Sequence, residues 1–146
     1  MKFLLDTMVI SEPGRPRPEP RVLAWLGSHP AVDMAISVCT LGEVAKGVEL
    51  MTEGRRKREL AAWLTTELPE LFRDRVVWID QRVALEWGRL SGRRSGLPVV
   101  DGLLLATAFA HRLTLVTRNV RDTAGLGVPI LDPWSGRRYD GSQADT

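Results

Sequence analysis

The chain has 146 residues, 44% hydrophobic and 26% charged, with a formal net charge of +2. That is the size and make-up of one globular domain, long enough to bury a core without disulfide or metal staples. A lone cysteine, Cys39, excludes an internal disulfide; no run reaches the ~18 apolar residues of a membrane helix; and Asp6 interrupts any signal segment, so the expected location is the cytoplasm.

The 20 basic residues comprise 17 arginines and three lysines. Arginine presents a planar fork of donors that matches phosphate oxygens. The clusters Arg15/Arg17/Arg21, Arg55-Arg56-Lys57-Arg58, Arg93-Arg94 and Arg137-Arg138 read either as solvated faces or as surfaces for an anionic partner.

Phe3-Leu4-Leu5 is a short apolar run without alternation, the pattern of a strand buried on both faces, and Asp6 stands at its carboxyl end. Pro13, Pro16, Pro18 and Pro20 predict a loop, and Pro20 to Leu26 a short helix that starts at its proline. Val32 to Cys39 is a second strand candidate. Thr40-Leu41-Gly42-Glu43 then fits a capping box, with Thr40 as cap and Glu43 at the third helical position. The helix runs to Gly54, and a second helix spans Arg55 to Leu71, the two making a pair with apolar residues suited to a dimer contact.

Arg75 to Asp80 predicts a third strand and Val83 to Arg93 an amphipathic helix. Pro98 opens a helix to about Ala110 that is apolar nearly all round, so it belongs inside the domain; its one acid, Asp101, lies in the first turn. Leu113 to Thr117 is a fourth strand, Arg118 to Asp122 its exit loop, and Val128 to Leu131 a final strand placed at an edge by Pro129. The domain is expected to span 1–134, followed by a polar tail, 135–146. Alternating strands and helices imply an α/β fold: three α/β/α layers around a mainly parallel sheet of four to five strands.

In such a fold the ligand site lies beyond the carboxyl ends of the strands. Asp6, Glu43, Asp101, Asn119 and Asp122 all fall there. Each acid has a local alternative: Glu43 as a capping-box member, Asp101 as a complement to the helix dipole, Asp122 as a turn or cap residue. Gathered at one rim, the carboxylates would need a cation, and an all-oxygen set suits Mg²⁺ or Mn²⁺ and phosphodiester chemistry. No cluster of cysteine and histidine is available for zinc, and His29 and His111 read as loop and helix-end residues.

Four ordered segments carry a resemblance: Leu4-Leu5-Asp6-Thr7-Met8-Val9-Ile10-Ser11-Glu12, Thr40-Leu41-Gly42-Glu43, Val100-Asp101-Gly102-Leu103-Leu104-Leu105-Ala106-Thr107-Ala108, and Leu115-Val116-Thr117-Arg118-Asn119-Val120-Arg121-Asp122. Over Phe3 to Trp134 the chain resembles the PIN-domain ribonucleases, most of all the VapC/FitB-like toxins of type II toxin–antitoxin pairs. The resemblance implies an Mg²⁺-dependent endoribonuclease that cleaves RNA, is neutralised by a cognate antitoxin, and forms a homodimer or, with antitoxin, a heterotetramer or larger. It implies Asp6, Asp101 and Glu43 as metal-binding acids, Asp122 as a further catalytic acid, and Thr7 and Asn119 in support. Asn119 stands where some members have an acid, Met8 where members often have asparagine, and Thr123 where an aromatic residue is frequent. A housekeeping RNA-processing nuclease and a non-catalytic nucleic-acid or partner-binding module are the alternatives.

Overall fold

A computed structural model describes residues 1–142. Its strands are β1 (Phe3–Leu5), β2 (Met34–Ser37), β3 (Val76–Val77), β4 (Thr114–Val116), β5 (Ile130–Leu131) and β6 (Arg138–Tyr139). They form one sheet in the order β3-β2-β1-β4-β5-β6, parallel except for β6. The expected three-layer α/β architecture is present, with more strands than predicted. The extra strand comes from the segment read as a polar tail, and it also places β5 between two neighbours instead of at an edge. Pro129 is tolerated because it precedes β5, where it contributes only its carbonyl, to the Leu115 N–H. Residues 143–146 of that tail lie outside the described residues.

The helices are α1 (Thr7–Ser11), α2 (Pro20–Gly27), α3 (Val38–Glu49), α4 (Arg55–Ala62), α5 (Leu68–Phe72), α6 (Gln81–Arg93), α7 (Val99–His111) and α8 (Val120–Thr123). Alternation along the buried strands separates two cores. Leu4 and Ala35 face Val83, Leu90, Leu104 and Leu105 of α6 and α7. Phe3, Leu5 and Ile36 face Val9, Val22, Leu68 and Phe72 of α1, α2 and α5. A strand covered on both sides has no polar face to show, which is why β1 reads as an unbroken apolar run.

Three local differences have physical causes. First, β2 stops at Ser37, whose hydroxyl accepts the Cys39 N–H, so α3 starts two residues before the predicted cap. Thr40 is buried inside the first turn with its hydroxyl unpartnered, and the Thr40–Glu43 capping box does not form. Secondly, the predicted helix Arg55–Leu71 is interrupted by a π turn at Trp63–Glu67. Pro69 has no N–H for the Thr65 carbonyl and its ring crowds that turn, so the ladder widens before it. Thirdly, the predicted loops after Asp6 and Arg118 contain α1 and α8, each a single short helix on the carboxyl rim of the sheet.

Helix α7 runs through the centre, packed along α6. A Cβ added at Gly102 would lie 3.0 Å from Trp87 Cδ1 and 3.2 Å from Leu97 Cδ2, so a larger residue would need these side chains to give way. The contact fixes the helix one residue beyond Asp101.

Candidate active site

Asp6 leaves β1 as the N-cap of α1 and is only 7% exposed. Its Oδ1 accepts the Thr7 N–H at 2.7 Å and its Oδ2 accepts the Thr117 hydroxyl at 2.7 Å. Glu43, released from any capping role, sits one turn into α3 and accepts the Thr7 hydroxyl at 2.6 Å. Thr7 therefore ties two acids together, through its backbone and its side chain.

On the other side, Thr117 accepts the Asn119 N–H at 3.0 Å. The Asn119 side-chain nitrogen donates to Asp101 Oδ2 at 2.9 Å and to Asp122 Oδ2 at 3.0 Å. Two carboxylates can share a donor, not another acceptor, so the amide presents its nitrogen to them. Thr123 donates its hydroxyl to the Asn119 carbonyl at 2.6 Å, which closes the loop on itself. Arg94, at the end of α6, adds a clamp: Nη1 donates to the Asp122 carbonyl and Nη2 to the Ala124 carbonyl, both at 2.9 Å.

All four predicted acids thus join one hydrogen-bonded network from Glu43 through Thr7, Asp6, Thr117 and Asn119 to Asp101 and Asp122. Sequence reading missed Thr117 and Arg94. Thr117 had a signal, a hydroxyl directly after the buried run Leu115-Val116, at the same strand end as Asn119 and Asp122. Arg94 had none, because its acceptors are backbone carbonyls.

Among the described residues no lysine or arginine forms an ion pair with Asp6, Glu43, Asp101 or Asp122. The consequence appears at Asp101. Burial, with the charges of Asp6, Asp122 and Glu43 behind it, pushes its carboxyl from 3.8 up to about 6, against the lowering effect of the Asn119 hydrogen bond. The rim holds uncompensated negative charge and offers only oxygen ligands, which fits a hard divalent cation. Among the described residues no three of these groups close a cage by themselves.

The PIN domain model matches residues 3–122, which contain every acid of this network. The chain is 36% identical to Toxin FitB of Neisseria gonorrhoeae over 136 residues, covering 90% of this chain and 98% of that protein. It is 30% identical to VapC ribonuclease Y4jK of Sinorhizobium fredii, covering 90% and 97%. The structure of FitAB bound to IR36 DNA superposes with a TM-score of 0.84 at 34% identity, covering 90% of this chain and 95% of that one. With its sheet, its rim of acids and relatives spanning nearly its whole length, the chain belongs to the PIN-domain family, in its FitB/VapC-like branch.

Proposed function

We propose that this chain is an Mg²⁺-dependent endoribonuclease, with Mn²⁺ as an alternative ion, acting as the toxin of a type II toxin–antitoxin pair. One observation carries the reading: four carboxylates share one rim and, among the described residues, no basic side chain is paired to any of them. A divalent ion held there supplies charge stabilisation to the phosphate and lowers the pKa of water. Asp6 and Asp101 would hold the ion. Glu43, steadied by the Thr7 hydroxyl, orients the attacking water. Asp122 and Asn119 set the charge and position of Asp101.

The names of the relatives support the toxin reading, and with it a cognate antitoxin as partner. A homodimer, or a heterotetramer or larger assembly with antitoxin, would cover side chains such as Leu50, Trp78 and Leu85, which this chain leaves largely exposed. No helix among the described residues is long and apolar enough to cross a membrane.

The test is direct. Purified protein cleaves RNA with Mg²⁺ and stops with EDTA, and Asp101→Asn abolishes cleavage while keeping the native circular dichroism. Expression alone slows growth, and co-expression of the antitoxin restores it. Equal cleavage by Asp101→Asn would end the metal-site reading; harmless expression of an active nuclease would favour RNA processing over toxicity.

A further inference from the structure

A rim with four carboxylates repels the polyanion it is proposed to cut, so neighbouring cations must compensate. Arg118 lies between two members of the network: Thr117 holds Asp6 and Asn119 holds Asp101 and Asp122. Its guanidinium sits over the Trp134 ring, 5.2 Å from the centroid. Arg21 of α2 reaches the same residue, donating Nη1 to the Trp134 carbonyl at 3.2 Å.

Neither arginine forms an ion pair among the described residues. Asp132 takes the Trp134 N–H and the Ser135 hydroxyl, and Glu19 takes the Arg21 N–H at the start of α2. Two permanently charged groups are therefore anchored on one half-buried residue, Arg118 on its ring and Arg21 on its backbone carbonyl, with N–H donors to spare. Ordering a long side chain costs entropy, and the cation–π contact offsets it in advance of any ligand. A guanidinium held in this way presents fixed donors to a phosphate.

We propose that Arg118, Trp134 and Arg21 form a seat for the phosphate backbone of single-stranded RNA, laid beside the acids. The proposal rests on the ribonuclease reading and names where that substrate is gripped. Arg118 and Arg21 contribute charge, and Trp134 contributes position.

Binding of a labelled single-stranded RNA oligonucleotide, read by fluorescence anisotropy in EDTA in the Asp101→Asn background, tests it. Arg118→Gln should lower the logarithmic salt slope by about 0.7 and weaken binding about fivefold at about 0.1 M salt. Arg21→Gln should act in the same direction. Trp134→Leu keeps both charges, so it should weaken binding with the slope preserved. Arg82→Gln removes equal charge from a cavity at the amino ends of β4 and β5, and should change affinity less than about twofold. With Asp101 restored, Arg118→Gln should raise KM about fivefold while kcat falls less than about twofold.

Equal effects of Arg118→Gln and Arg82→Gln would overturn the seat in favour of a general field. RNA cleavage whose KM ignores Arg118 would overturn the seat and leave the ribonuclease reading standing. Protein that neither binds nor cuts RNA would overturn both. Loss of antitoxin binding with RNA binding intact would assign the patch to an acidic peptide and refute the proposal.

Discussion

Asp101→Asn should make the metal-free protein more stable at neutral pH, although it removes the best-placed acid of the site. Asp101 keeps its proton in the folded chain up to about pH 6, and loses it near 3.8 when unfolded. The folded state therefore binds more protons between these values. Its contribution to stability is complete below about pH 4, declines as pH rises through 6, and is gone above that. The displacement corresponds to at most about 3 kcal/mol, and solvent screening of a half-buried group reduces this to about 1–2 kcal/mol. Asparagine retains an oxygen to accept the Asn119 amide, so the change removes charge and little else. Thermal melts in EDTA from about pH 4 to 7.5 should show the wild type losing about 3–6 °C relative to Asp101→Asn across the interval. Adding about 10 mM Mg²⁺ should return about 1.4 kcal/mol to the wild type, for a site of about 1 mM affinity, and nothing to the variant. Parallel pH curves for the two proteins, with the variant the less stable at pH 7, would refute the claim that the acids repel one another.

Asn119→Asp replaces the shared donor by a further charge; metal-free stability should fall by about 2–4 kcal/mol in chemical denaturation at pH 7, and calorimetry should show tighter Mg²⁺ binding. Arg94→Ala should cost about 2–4 kcal/mol and increase amide exchange over residues 119–124, with Arg94→Lys recovering only part because an ammonium cannot hold two carbonyls in one plane. Ser37→Ala should cost about 1 kcal/mol by urea denaturation, whereas Thr40→Val should be neutral or stabilising; the reverse order would put the cap of α3 at Thr40 after all.

How much of this was visible in the residues can be followed acid by acid. Asp6 and Asp101 were legible because a carboxylate beside a buried apolar run needs a reason, and the parallel topology sends both to the same rim. Glu43 does not take part in the predicted capping box and accepts the Thr7 hydroxyl instead. Ser37 and Thr40 are equally able caps, and only the length of β2 decides between them. The long-range partners stayed hidden: Thr117 reaches Asp6 across 111 positions, and no periodicity encodes such a bond. Strand β6 was missed because two residues with polar neighbours carry no alternation, and pairing with β5 is what makes them a strand.

The order of the sheet has a consequence for the nascent chain. β1 stands at the centre, yet one of its neighbours is β4, made more than a hundred residues later. Asp6 is synthesised 111 positions ahead of its hydroxyl partner Thr117, and the Asn119–Asp122 loop follows only after that strand. At ribosomal speeds of about 5–20 residues per second, Asp6 waits roughly 6–23 s for Asp122. Throughout that interval no truncated product can hold the complete set of acids. Topology alone thus defers the assembly of the acid rim until β4 and its exit loop have been made.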